Sequence, residues 1–129
     1  MGFAAMTSSK SGIASVHVLF VEDEFLISEW VAQALSEQGF CVQAVSTAAE
    51  ALQALRRDPV DVLFTDINLP GNMDGLKLAA SVKTRRPEMN IIIVTGYGTP
   101  QGDEIPPGSL FVPKPYNARK MIEAVRHFQ

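Results

Sequence analysis

Hydrophobic positions along the chain switch repeatedly between two periods. His17 to Val21 (HVLFV) is a short continuous apolar run, as a strand buried on both faces requires. Helical spacing follows: Ile27, Val31, Ala34, Leu35 and Gln38 fall on one face at about 100° per residue. Gly39 closes that helix just past its cap, where a left-handed residue is favoured. Cys41 to Val45 predicts a second strand. Ser46 or Thr47 caps a second helix, with Ala48, Ala51, Leu52 and Leu55 inward and a stop before Pro59. Val60 to Thr65 (VDVLFT) predicts a third strand, and Leu76 to Arg86 a third helix ended by Pro87. Asn90 to Thr95 (NIIIVT), the most β-branched stretch, predicts a fourth strand. Leu110 to Val112 predicts a short fifth strand. Asn117 to Phe128 predicts a last amphipathic helix, striped by Met121, Ile122, Val125 and Phe128.

This alternation predicts an α/β, doubly wound parallel sheet with helices on both faces. Such sheets take their ligands at the carboxyl ends of the strands. Residues 1–14 (MGFAAMTSSKSGIA) carry no pattern and read as a flexible lead-in to a single domain over 15–129. They have neither a basic n-region nor an apolar h-region, so a cytoplasmic location is expected. Met6 stands where a myristoylation motif would need Ser or Thr, and it is an alternative start.

Composition narrows the function classes. The chain has 129 residues, 47% hydrophobic and 19% charged, a globular balance sized for one domain. With 11 Lys+Arg against 14 Asp+Glu the net charge is −3, so nucleic acid is not an expected direct partner. One cysteine forms no internal disulfide, and no Cys/His cluster offers a zinc site. No apolar run reaches the roughly 20 residues of a membrane span.

The strand ends carry the candidate chemistry. Glu22, Asp23 and Glu24 follow the first strand, Asp66 the third, Thr95 the fourth and Lys114 the fifth. Each feature alone is ordinary: an acidic triplet is usually a solvated loop, a lone Asp or Thr a cap or turn residue, a Lys between prolines an exposed side chain. Their occurrence in order at successive strand ends of one sheet edge sets the ordinary readings aside. Crowded carboxylates repel one another unless a cation joins them. Mg²⁺ suits a site with few carboxylates that keeps waters and shares a phosphate. A carboxylate beside Mg²⁺, a hydroxyl and an ammonium describes phosphoryl transfer: the carboxylate attacks, the cations neutralise the phosphoryl oxygens, and the hydroxyl donates a hydrogen bond.

The segments VLFVEDE, VLFTDINLPGNMDGL, IIIVTG and FVPKPY resemble the receiver domain of bacterial two-component response regulators, from about Val16 to Phe128. The resemblance implies a flavodoxin-like fold with strand order 2-1-3-4-5. It implies Asp66 as phosphoacceptor, with Glu22, Asp23, Asp66 and the Asn68 backbone carbonyl around Mg²⁺, Glu22 through water. It also implies Thr95 as the switch hydroxyl, Lys114 as the partner of the phosphate, Phe111 and Tyr97 at switch positions, and a cis-proline junction at Lys114-Pro115. Its implied partners are a histidine kinase or a histidine phosphotransfer protein, with no small molecule beyond a phosphodonor. These would dock on the first helix, where Leu26, Ile27 and Trp30 rim the site. Helical geometry puts Trp30 at the core edge and Leu26 outside it.

Two departures stand out. The loop after Asp66 (Asn68 to Gly75) is one residue longer than the commonest pattern. Between Thr95 and Lys114, where receivers place a helix, the chain is GYGTPQGDEIPPGSLFVP. Gly costs about 1 kcal/mol and Pro about 3 kcal/mol inside a helix, so an irregular, shortened or mobile segment over 97–108 is expected, hinged at Gly96 and Gly98. Thr95-Gly96-Tyr97 resembles a receiver subgroup named for a Phe-Ala-Thr-Gly-Tyr motif, with Ile93-Val94 in place of Phe-Ala. No output domain is expected after Phe128, which points to a stand-alone switch rather than a turnover enzyme. Two other classes remain. A haloacid-dehalogenase-like phosphohydrolase would use the same groups but wants Asp-x-Asp, where this chain has Asp66-Ile67-Asn68. A phosphorylation-independent interaction module would have no use for the complete set of acid, hydroxyl and lysine.

Overall fold

The computed structural model describes residues 15–96, 105–114 and 117–129. Five strands, β1 (His17–Val21), β2 (Cys41–Val45), β3 (Val62–Asp66), β4 (Asn90–Thr95) and β5 (Leu110–Pro113), pair in parallel in the order β2-β1-β3-β4-β5. Among the described residues there are four helices: α1 (Phe25–Glu37), α2 (Ala48–Arg57), α3 (Gly75–Arg85) and α4 (Ala118–His127). This is the doubly wound sheet that the alternation predicts, in the strand order that the family resemblance implies. Alternation along the strands sorts the core. Val18, Phe20, Val62, Phe64, Ile92 and Val94 meet α1 and α4 on one face, and Leu19, Val21, Leu63, Ile91 and Ile93 meet α2 and α3 on the other. Phe20 and Phe64 stand edge to face at the centre, 5.2 Å between rings.

Local chemistry fixes the helix ends. α1 closes through two backbone bonds, Gly39 N–H to Ser36 and Phe40 N–H to Leu35. Gly39 takes the left-handed conformation this closure needs (φ 94°). Thr47, not Ser46, caps α2: its hydroxyl accepts from Glu50 N–H, and the Glu50 carboxylate accepts from Ser46 N–H. Asp74 and Asn117 cap α3 and α4 in the same way.

Several boundaries differ from the sequence expectation. β3 starts at Val62 rather than Val60. Asp61 instead closes off the start of β1, its carboxylate accepting from His17 N–H and its own N–H donating to the His17 carbonyl. β3 also runs one residue further, to Asp66, because Asp66 still pairs in register with Val94. α3 begins at Gly75 and stops at Arg85, since Arg86 precedes Pro87 and leaves helical geometry. Residues 1–14, the switch candidate Tyr97, the hinge candidate Gly98 and the Lys114-Pro115 junction lie outside the described residues, wholly or in part. Of the segment expected to be irregular, 97–108, residues 105–108 are described: they turn, with the Pro106 carbonyl accepting from Ser109 and Gly108 at φ 82°, and contain no helix.

α3 is seated directly on the end of β3. Gly75 donates its N–H to the Ile67 carbonyl at 2.7 Å. A Cβ on Gly75 would lie 1.9 Å from the Asp66 carbonyl oxygen, a contact that no side chain tolerates. Gly75→Ala is therefore expected to cost about 3 kcal/mol or more, because the helix must lift off the strand. Urea unfolding measures this; a loss below about 1 kcal/mol, the ordinary range of helix propensity, would show that the close approach is not needed.

Candidate functional site

Three neighbouring strand ends build the site. Val21 pairs in register with Thr65, so Glu22 and Asp66 stand next to each other on β1 and β3. Asp66 pairs with Val94, which sets Thr95 one step beyond it on β4. The Lys114 N–H donates to the Thr95 carbonyl at 2.8 Å, extending the ladder past β5. Glu22, Asp66 and Thr95 are all buried, at 2%, 2% and 3% exposure.

Asp66 is held at both oxygens. Lys114 Nζ lies 2.9 Å from Oδ2 in a hydrogen-bonded ion pair, and Asn68 N–H donates to Oδ1 at 3.1 Å. The peptide behind it is gripped as well: the buried Thr65 hydroxyl donates to the Asp66 carbonyl at 2.9 Å, on the side where Gly75 approaches. Glu22 is less well served. Its Oε2 accepts from Glu24 N–H at 3.0 Å, while Oε1 is buried with no hydrogen-bond partner among the described residues. Burial pushes its carboxyl up from the usual 4.5 to about 7, with repulsion from Asp66 and Asp23 adding to the rise. The Glu24 N–H and Lys114 act against that rise. Burial also pulls on the Lys114 ammonium, but its bond to Asp66 and the charges of Glu22 and Glu24 outweigh this and raise it.

The structure thus brings Glu22, Asp66, Asn68, Thr95 and Lys114 together at one edge. The acidic triplet is not gathered as a cluster: Asp23 and Glu24 are exposed, and Glu24 sits at the N-cap of α1. Instead the buried pair is Glu22 with Asp66. The orphaned Glu22 oxygen beside a second carboxylate fits a hard cation with oxygen ligands. No group of three His, Cys, Asp or Glu side chains stands at metal-holding distance among the described residues, so such a cation would also need backbone or water oxygens. Phe111 is half-buried against the α2/α3 core. Ile27 is half-buried, Leu26 is 80% exposed and Trp30 45%, the order that helical geometry predicts. Phe25, 71% exposed beside them, was not singled out by the sequence reading, and neither were Thr65 or Gly75. The Asp74-Gly75 pair before an apolar helical run was the one legible signal for the last.

A buried aspartate paired with lysine, flanked by a second acid and a threonine at the carboxyl edge of a 2-1-3-4-5 sheet, defines a class of signalling domain. The sequence matches the response regulator receiver domain over residues 18–126. The chain belongs to that family. It is 34% identical over 111 residues to a response regulator of Rickettsia bellii described as NtrX-like, covering 83% of this chain and 23% of the relative. It is 32% identical over 116 residues to the C4-dicarboxylate transport transcriptional regulatory protein DctD of Rhizobium meliloti, covering 88% and 25%. The chain therefore spans about a quarter of the length of these curated relatives. Among solved structures, a response regulator receiver protein from Sinorhizobium medicae superposes with a TM-score of 0.80 at 28% identity, covering 88% of this chain and 94% of that one.

Glu22 generates a pH dependence. The folded state keeps its proton up to about pH 7, whereas the unfolded chain releases it near 4.5. Between these values the folded state binds more protons, so stability falls as pH rises through the window. At about 1.4 kcal/mol per unit, the loss is on the order of 3 kcal/mol in the absence of divalent cation. Urea unfolding in chelator should show this slope in the natural sequence and a flatter profile in Glu22→Gln. Identical slopes would mean that Glu22 does not titrate there.

Proposed function

We propose that this receiver takes a phosphoryl group onto Asp66 from a phosphohistidine, on a histidine kinase or a histidine phosphotransfer protein, with Mg²⁺ at Glu22, Asp23, Asp66 and the Asn68 carbonyl. The single observation that carries this reading is the buried Asp66 carboxylate bonded to Lys114 at 2.9 Å beside a Glu22 oxygen that has no hydrogen-bond partner among the described residues. An Asp66 oxygen attacks phosphorus; the bond from phosphorus to the donor nitrogen breaks, and the imidazole keeps that electron pair. Mg²⁺, when bound, supplies positive charge for the phosphoryl oxygens and relieves the repulsion between Glu22 and Asp66. Lys114, already on Asp66, pairs with the incoming phosphate. Thr95 stands buried at the next strand end, one step beyond Asp66, which supports its hydroxyl as donor to the phosphoryl group. Phe111 and Tyr97 are the aromatic switch candidates in this reading.

The chain acts as a switch, not as a turnover enzyme: it phosphorylates and dephosphorylates only itself. The Asn68 amide in place of a second acid disfavours a phosphohydrolase, which needs that acid to protonate a leaving group. Its output is contact with another protein or onward phosphoryl transfer, in the cytoplasm and without direct nucleic-acid contact. No helix among the described residues is long and apolar enough to cross a membrane. Labelling by acetyl phosphate tests the chemistry. Asp66→Asn is expected to lower the rate about 100-fold or more, and Asp23→Asn to weaken the Mg²⁺ dependence sharply. Labelling of Asp66→Asn near the natural rate, or labelling without Mg²⁺, contradicts the assignment.

The partner contact is read from α1. Phe25, Leu26 and Trp30 present apolar surface on the first two turns of α1, the helix that starts three residues after Glu22, and a donor histidine approaching Asp66 would meet this helix in the proposed complex. A large aromatic at such a contact is a plausible hot spot. Trp30→Ala should slow phosphotransfer from a phosphohistidine protein about 10-fold while leaving labelling by acetyl phosphate almost unchanged. Equal slowing of both reactions would assign Trp30 to the core.

A further inference from the structure

We propose that the corner where α2 and α3 end is a docking surface for an acidic peptide segment carrying an apolar side chain. Both helices run against the parallel strands, so both of their carbonyl ends open on the sheet edge opposite Asp66. Arg56 and Arg57 occupy the last turn of α2, Lys83 and Arg85 the last turn of α3, and Arg86 its C-cap. These five residues come from a total of 11 Lys+Arg in a chain of net charge −3, so the charge is concentrated, not spread.

Two of the five have a structural task. Lys83 Nζ donates to the Met89 carbonyl at 2.7 Å, and the Arg86 guanidinium donates to the Leu55 carbonyl, tying α3 to the end of α2. Complementing a helix carbonyl end explains such residues. Arg56, Arg57 and Arg85 suit the same carbonyl ends, but they are exposed and make no side-chain hydrogen bond or ion pair among the described residues, which leaves their guanidiniums available to a ligand. The ion pairs there are Lys114–Asp66 and Arg119–Glu123. Asp58 and Glu88, the acids next in sequence to this corner, pair with none of the arginines.

Arg56, Arg85 and Arg86 rim a cavity of about 140 Å³ whose floor is Leu52, Leu55 and Val82. The volume has room for one aliphatic side chain. Guanidiniums fork onto carboxylates with two parallel bonds, so the rim fits Asp or Glu and the floor fits an apolar residue between them. A nucleic acid or an anionic membrane would want a broad basic face. Here the basic corner is narrow, on a chain with a net negative charge.

The test uses the full chain and a fluorescein-labelled synthetic peptide with one Leu flanked on both sides by Glu, followed by anisotropy at low ionic strength. Saturable binding is expected, weakening with salt. It should weaken about 10-fold or more in the Arg56→Glu/Arg85→Glu double variant, and several-fold when Ser replaces the peptide's Leu. Both arginines are exposed and unbonded, and Arg86 is left in place, so the double variant should stay folded under the binding conditions, with its urea midpoint lowered only slightly by the reversed charge at the two helix carbonyl ends. Absence of saturable binding, or equal binding by the folded double variant, overturns the proposal. So does tighter binding of a single-stranded oligonucleotide or of phosphatidylserine vesicles. Self-association lost in the same variant would place a second copy of this chain on the corner and equally overturn it.

Discussion

Two buried carboxylates share one ammonium at the carboxyl edge of this sheet, and the remainder of the site is arranged around that imbalance. Asp66 takes the Lys114 ammonium and the Asn68 amide. Glu22 is left with one backbone donor and an oxygen that has none among the described residues. Burying a charge without a partner costs several kcal/mol unless the group takes up a proton or gains a cation. The raised Glu22 carboxyl is the first of these responses. A divalent cation would be the second, and it would turn a local defect in the fold into a binding site.

The scaffold makes this defect tolerable. The central strands β1, β3 and β4 are buried from both faces by two separate cores, Val18, Phe20 and Phe64 on one side, Leu19, Leu63 and Ile93 on the other. Their parallel register brings Glu22, Asp66 and Thr95 to one level without any loop having to reach in. Gly75 then lets the first turn of α3 close on the Asp66 peptide, and the Thr65 hydroxyl bonds the same carbonyl. The acid is therefore positioned by backbone packing, and its side chain is left for the ammonium and the chemistry.

Much of this was legible in the sequence because apolar runs bounded by polar residues define buried parallel strands well. β1, β2 and β4 begin and end where HVLFV, CVQAV and NIIIVT do. β3 was less so: Val60 is apolar but packs beside the strand, and Asp61 is recruited to the start of β1, a role that no periodicity reveals. The caps Thr47, Asp74 and Asn117 obey local rules, whereas the choice of Thr47 over Ser46 depended on where the Glu50 carboxylate turned. The acid, hydroxyl and lysine of the site could be found from their places after strands. Thr65 could not, and for Gly75 the Asp74-Gly75 pair signals only a helix start, because a close approach between helix and strand is a tertiary fact. Within the acidic triplet the structure makes a distinction that spacing does not: Glu22 is buried, while Asp23 and Glu24 are exposed. The arginine corner joins Arg56 and Arg57 at the end of α2 to Arg85 and Arg86 at the end of α3, about thirty positions later in the chain, and only the α2–α3 packing unites them.

The central claim is that Asp66 is the residue that carries the phosphoryl group. An acyl phosphate is reduced by borohydride to the alcohol, so a phosphorylated aspartate becomes homoserine, while an unmodified carboxylate is left alone. Phosphorylation of the full chain with acetyl phosphate and Mg²⁺, borohydride reduction and peptide mass mapping would locate it. The account predicts homoserine at position 66 alone. Homoserine at position 23, or no reducible position at all in a labelled sample, would contradict it.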